Sequence, residues 1–110
     1  MTKITIYSNT EKKCVGFDAC GHAGYADAGE DVVCAAISVL TINTINAIET
    51  LTSQRFDIAQ DERDGKISFR RTGKLNDDAE LLLDAMILGL QSMADNEEYN
   101  QYIDLSFKEV

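Results

Sequence analysis

His22 and Cys34 stand at the two ends of a glycine-rich segment, and both side chains are of the types that nucleophilic catalysis uses. A thiolate attacks a carbonyl carbon, and an imidazole takes the thiol proton and later returns it. Eleven residues separate the two, which is enough chain to fold back, and the glycines of the segment permit the backbone angles of such a return. Because His22 is the only imidazole in the chain, the pattern predicts a pairing of His22 with Cys34.

The element that must position Cys34 is the apolar stretch of residues 32–52, which is too long for an ordinary strand and predicts a buried central helix. With Asp31 as its N-cap, Cys34 is the third helical residue. Unpaired backbone N–H groups and the positive end of the helix dipole there favour a thiolate and can hold an oxyanion. Asp31 can also orient the imidazole and complete a Cys–His–Asp set, and Glu30 can take the capping role instead.

Gly21, Tyr25 and Ser38 are weaker candidates, for contact with a substrate. Ser38 lies one turn after Cys34 on the expected helix and shares its face, although its hydroxyl can instead bond back to the helix backbone. Tyr25 can stack on a ligand or pack against the protein, and Gly21 directly precedes the histidine.

Two other interpretations fit the same residues. A cysteine in an apolar helix is commonly a small core residue. Cys14, Cys20, His22 and Cys34 are also zinc-ligand types, but their spacing lacks the close cysteine pairs typical of zinc sites. A continuous strand would also hold Cys14 roughly 20 Å from Cys20, too far apart for a shared metal or a disulfide.

The remaining elements alternate in type along the chain. Period-two alternation predicts strands at residues 3–7, 12–20, 55–60, 66–71 and 101–107. Val15, Phe17 and Ala19 are expected on one face of the second strand, and Asp64-Gly65 is expected to form a hairpin turn. A second helix follows an N-cap at Asn76. The order ββαββαβ predicts an α+β fold with two helices on a mixed or antiparallel sheet, in a single domain spanning residues 1–110.

Composition narrows the class of protein. The 110 residues, 45% of them apolar, suffice to form one hydrophobic core. The net charge of −9 disfavours binding to nucleic acid and suits a basic partner. The sequence contains no uninterrupted apolar run long enough to cross a membrane, so no membrane span is expected. Residues 1–8 alternate like a strand rather than forming a signal peptide, so a cytoplasmic protein is expected. Three cysteines, an odd number, argue against a disulfide framework.

The segment of residues 21–38, GHAGYADAGEDVVCAAIS, resembles the signature of the ribosomal-processing cysteine proteases of the Prp family. The resemblance implies a homodimeric α+β cysteine protease without metal or cofactor. Its substrate would be the short N-terminal extension of a large-subunit ribosomal protein, cut after an aromatic residue. The family's catalytic histidine would be His22, its nucleophile Cys34 and its neighbouring acid Asp31, with residues 24–30 as a loop that orders around the substrate.

An alternative from another class is a non-enzymatic ribosome-associated protein. Its acidic surface would dock a basic ribosomal protein, and its Cys/His cluster would be structural or bind zinc. Both interpretations predict the same partner, so activity is what separates them.

Overall fold

The computed structural model describes residues 1–21, 28–61, 63 and 65–110. The elements are β1 (Thr2–Ser8), β2 (Cys14–Cys20), α1 (Ala28–Leu51), β3 (Arg55–Asp61), β4 (Lys66–Thr72), α2 (Asp77–Asp95) and β5 (Ile103–Glu109). A single 3₁₀ turn, Asn100–Tyr102, precedes β5 and was not predicted. The order ββαββαβ is confirmed.

The five strands form one sheet in the order β3-β4-β2-β1-β5. The β1–β2, β2–β4 and β3–β4 pairs are antiparallel, and β5 runs parallel to β1. The sheet is therefore mixed, one of the two predicted arrangements. The parallel pair arises because the chain crosses over through both helices and the β3–β4 hairpin between β1 and β5.

One face of the sheet carries the core. Ile6, Phe17 and Phe69 stand side by side on β1, β2 and β4, and the Phe17 and Phe69 rings stack with centroids 5.3 Å apart. Buried residues of both helices join the same cluster, including Ile37 of α1 and Leu83 of α2. Both helices therefore cover one face of the sheet and leave its other face open, which gives a two-layer α+β architecture.

The start of β2 departs from the predicted alternation. Phe17 lies on the core face as expected, but the register skips a residue, so that Tyr7 pairs with Gly16 and Ser8 pairs with Cys14. Val15 is the extra, half-buried residue of a β-bulge, and Cys14 takes the core position expected for Val15. A bulge of this kind shifts every side chain before it to the other face.

The prediction that Asp31 caps the central helix is wrong. Helix α1 begins at Ala28, so Asp31 lies inside its first turn and Cys34 is the seventh helical residue rather than the third. Acidic residues favour the N-cap and the whole first turn alike, so their presence does not locate the first residue of a helix. The amide of Cys34 therefore lies beyond the unpaired N–H groups, and the dipole acts on its thiol less directly than expected.

Helix α2 begins where the sequence predicted. Asn76 is its N-cap residue, but the Asn76 side chain donates to Ser53 Oγ (3.1 Å) instead of capping the helix. Gly89 lies against α1, because a Cβ built there would be 2.9 Å from a methyl carbon of Leu40. The glycine thus lets the two helices approach closely.

A buried arginine ties the two layers together. The guanidinium of Arg71 on β4 donates to the Cys14 carbonyl (2.7 Å), the Asn76 carbonyl (2.8 Å) and the Glu80 carboxylate, and also to Gln54 Oε1. Its side chain is fully buried. Because a buried charge is tolerated only when paired and hydrogen-bonded, this network fixes the start of β2 and the start of α2 relative to β4.

Helix α1 has a property that the sequence analysis did not anticipate. By length and composition, its stretch Asp31–Leu51 suffices to cross a membrane, which is weak evidence because the core helix of a soluble protein passes the same test. Val33, Ile37 and Ile48 of that stretch are buried in the core of this fold. The absence of a membrane partner stays a prediction.

Candidate active site

Cys34 lies in the second turn of α1, half-buried, beside the end of β2. A Cβ built on Gly21 would be 3.3 Å from the Cys34 Sγ. The residue that touches the thiol is therefore the one directly before His22. His22 and residues 23–27, including the substrate-contact candidate Tyr25, lie outside the described residues.

The candidates on α1 share one face of the helix. Asp31 lies one turn before Cys34 and Ser38 one turn after it, and both are exposed. The shared face of Ser38 and Cys34 was predicted from their spacing, whereas Asp31 was expected to be the N-cap and instead lies on that face within the helix. Their roles in catalysis and substrate contact stay predictions.

The tip of the β3–β4 hairpin completes the described part of the site. The Gly21 N–H donates to the Gly65 carbonyl (3.0 Å), which extends the β2–β4 pairing by one step beyond Cys20 and Lys66. Gly65 has φ +62°, as a glycine in the predicted hairpin turn should. The sequence predicted the hairpin but not its contact with the site, because no local signal reports which strands become neighbours.

Cys14 is unsuited to nucleophilic chemistry. It is 3% exposed, and burial raises the pKa of its thiol to about 11. Its S–H donates to the Gly16 carbonyl (3.5 Å), and its N–H donates to Glu80 Oε2 (3.0 Å). At neutral pH the Cys14 thiol is thus protonated and part of the core.

The zinc interpretation brings Cys20, His22 and Cys34 together with Cys14 as a fourth ligand, and the structure keeps Cys14 apart from Cys20. They occupy opposite ends of β2, with Cys14 in the core and Cys20 paired across the sheet with Lys3 and Lys66. None of the three cysteines forms a disulfide. Within the described ranges, no group of three or more His, Cys, Asp or Glu side chains is placed to hold a metal ion.

The open face of the sheet carries a second polar cluster, away from Cys34. The Tyr7 hydroxyl donates to Asp18 Oδ2 (2.7 Å), and Arg70 Nη1 donates to Asp18 Oδ1 (3.0 Å). The Arg70 guanidinium also lies 4.2 Å from the centre of the Tyr7 ring. Burial alone would raise the pKa of Asp18, but the hydrogen bonds from Arg70 and Tyr7 outweigh it and hold that pKa below its usual value. This cluster stabilises the sheet.

The outward face of α1 is apolar next to the thiol. Ala35, Ala36, Val39, Ile42 and Asn43 line two adjoining shallow depressions there, and Val39 is 69% exposed. An exposed apolar surface of this kind is typical of a binding surface.

A two-layer α+β fold with a half-buried thiol near the start of its central helix, and a histidine two residues beyond the strand whose end lies beside that thiol, is typical of a small thiol enzyme. The family model described as Cysteine protease Prp matches residues 1–104, and the chain belongs to that family of cysteine proteases. The family membership favours the protease over the non-enzymatic alternative.

The relatives share the whole fold. The ribosomal processing cysteine protease Prp of Staphylococcus aureus (strain Mu50 / ATCC 700699) is 38% identical over 108 residues, which cover 98% of this chain and all of the relative. The crystal structure of an essential ribosomal processing protease Prp from S. aureus with a substrate peptide matches at TM-score 0.89 and 37% identity, over 98% of this chain and all of that one. A second S. aureus structure, with a covalently linked product peptide, matches at TM-score 0.85 and 38% identity over the same shares.

Proposed function

We propose that this cysteine protease removes the N-terminal extension of a large-subunit ribosomal protein, with Cys34 as its nucleophile and His22 as its base. The observation that carries the proposal is the contact between the Cys34 thiol and Gly21, because it brings the start of the histidine-bearing segment to the sulfur. The relatives' names and peptide complexes support the substrate class.

In the proposed reaction, His22 takes the proton of the Cys34 thiol as the sulfur attacks the scissile carbonyl carbon. The tetrahedral intermediate collapses, the C–N bond breaks, and His22 returns the proton to the leaving amine. Water, deprotonated by His22, then hydrolyses the thioester and restores the thiol. The relative with a covalently linked product peptide supports such a covalent route.

Asp31 is proposed to orient the imidazole. Asp31 is exposed and lies one turn before Cys34, toward the N-terminal end of α1. Since Asp31 does not cap the helix, its carboxylate is available for this role. Substrate contact is assigned to Gly21 and Ser38, which flank the thiol, and to Tyr25.

The substrate is proposed to be basic and to be read as an extended peptide. The chain carries 19 acidic and 10 basic side chains, so its field attracts a basic ribosomal tail. The cut is expected after an aromatic residue, as the family resemblance implies.

A homodimer is proposed, with contact through the outward face of α1. That face is apolar around Val39 and Ile42 and continues along the helix that bears Cys34. A dimer there would cover the exposed side chains and lengthen the peptide-binding surface. We place the enzyme in the cytoplasm, where ribosomal proteins are made, with no nucleic acid or membrane as a partner.

A cleavage assay on the extended ribosomal protein tests the proposal. Wild type should remove the extension, and Cys34→Ala and Cys34→Ser should leave it intact. Cys20→Ser is the matched control, because Cys20 is also half-buried and directly precedes Gly21, so it removes a thiol near the site without removing the proposed nucleophile. The proposal fails if wild type binds the extended protein without cutting it, or if Cys34→Ala cuts at the wild-type rate.

A further inference from the structure

We infer that Gly65, at the tip of the β3–β4 hairpin, is a positioning residue that sets the distance between Gly21 and the Cys34 thiol. The inference rests on the proposed role of Cys34 as nucleophile. Gly65 lies far from Cys34 in the sequence, directly before β4, and it reaches the site through the backbone of Gly21.

Gly65 is hydrogen-bonded to Gly21 and packs closely against its backbone. The Gly21 N–H donates to the Gly65 carbonyl at 3.0 Å. A Cβ built on Gly65 would lie 2.9 Å from the Gly21 carbonyl oxygen, closer than the 3.4 Å at which ordinary van der Waals contact begins. The crowded atom belongs to the backbone and cannot swing away, so a side chain at position 65 would displace Gly21 itself.

Gly21 in turn lies directly against the thiol. A Cβ on Gly21 would be only 3.3 Å from the Cys34 Sγ, so no other side chain lies between them. A shift of about half an ångström at Gly21 therefore changes the backbone surface that lies beside the nucleophile. Displacements of this order cost about tenfold in rate when they misplace reacting groups.

Gly65 and Gly73 have similar positive φ angles, so comparing them separates the contact with Gly21 from simple backbone strain. Gly65 has φ +62° and Gly73 has φ +68°, but a Cβ at Gly73 would meet no atom within 4 Å. Alanine is strained at both positions, whereas asparagine accepts positive φ more readily. The test therefore uses Gly65→Ala and Gly65→Asn against Gly73→Ala and Gly73→Asn.

We expect both Gly65 variants to lose about tenfold or more in kcat/KM, and both Gly73 variants to stay within about twofold of wild type. The second measurement is the rate of Cys34 alkylation by iodoacetamide in a Cys20→Ser background. That rate should change about threefold or more in the Gly65 variants alone.

The inference is overturned if the Gly65 variants cleave and alkylate at wild-type rates, or if the Gly73 variants change as much. It is also overturned if neither Gly65 variant folds while both Gly73 variants do, since Gly65 would then serve the fold and not the site. If wild type itself fails to cut the substrate, the proposed function fails, and the alkylation rates still decide the role of Gly65.

Discussion

The thiol of Cys34 lies against Gly21, so closely that a methyl group on the glycine would be 3.3 Å from the sulfur. The end of β2 and the second turn of α1 thus meet at the nucleophile, and His22 comes two residues after Cys20, the last residue of β2. The two chain segments lie so close together that a methyl group on Gly21 would require a shift of a few tenths of an ångström beside the Cys34 sulfur.

Gly21→Ala should therefore impair catalysis more than stability. Its methyl group crowds the Cys34 sulfur, and we expect a loss of about tenfold in kcat/KM. The melting temperature should change little, because Gly21 shows no positive φ. Steady-state cleavage of a peptide spanning the cut site measures the effect.

Gly89→Ala is the matched control for that variant. Its Cβ would crowd Leu40, a flexible side chain in the contact between the helices, and alanine raises helix propensity by about 1 kcal/mol. Equal losses of activity in both variants would show that crowding near Cys34 has no special effect.

Adjacent arginines should differ sharply in their contribution to stability. Arg71 is fully buried against Glu80, whereas the Arg70 side chain is 42% exposed beside Asp18. Arg71→Met should cost about 3–5 kcal/mol because it removes the only charge paired with Glu80 in this network and the donor to the Cys14 carbonyl. Arg70→Met should cost about 1 kcal/mol or less. Urea unfolding measures both, and similar costs would contradict the network described around Arg71.

Two aspartates should give stability profiles of opposite sign with pH. Asp18 has a lowered pKa in the folded protein, so its contribution is present above its unfolded pKa and is lost as the pH falls. Burial and the nearby Glu80 raise the pKa of Asp84, so its contribution is present at low pH and is lost as the pH rises.

Asp18→Asn should therefore destabilise the protein at neutral pH and flatten its acid limb, whereas Asp84→Asn should stabilise it at neutral pH. Urea midpoints measured from acid to neutral pH provide the comparison. Shifts of the same sign in the two variants would contradict the assignment of these two environments.

Salt should separate charge steering from recognition at the cut site. The net charge of −9 attracts a basic substrate over a distance that salt shortens to about 8–10 Å at physiological strength. Raising salt should therefore increase KM for the full-length basic protein more than for a short neutral peptide with the same cut site. Equal salt dependence would reject the steering and leave the protease proposal intact.

Local patterns predicted much of this fold because the decisive signals lie within each element. The alternation around Phe17, the length of the apolar stretch in α1 and the turn at Gly65 each depend on neighbouring residues, and each appears in the structure. The spacing of Cys34 and Ser38 likewise predicted that these two residues share one face of the helix.

The features that sequence reasoning missed depend on contacts between distant parts of the chain. The bulge that buries Cys14 depends on pairing with β1. The sequence around Arg71 does not indicate that this side chain is buried, because its partners Glu80 and Gln54 come from other elements of the fold. The contact of Gly65 with Gly21 arises from the β2–β4 pairing. The early start of α1 was missed because acidic residues suit every position of a first helical turn.

The role of Cys34 as nucleophile is tested most directly by mass spectrometry of the intact enzyme. The enzyme is mixed rapidly with a peptide spanning the cut site and quenched with acid. We predict a transient covalent adduct in which the N-terminal product is joined to the enzyme as a thioester. Fragmentation should map it to Cys34 in wild type and find none in Cys34→Ala. An adduct on another residue would show that Cys34 is not the nucleophile. Cleavage that proceeds without an adduct, and at an unchanged rate in Cys34→Ala, would show the same.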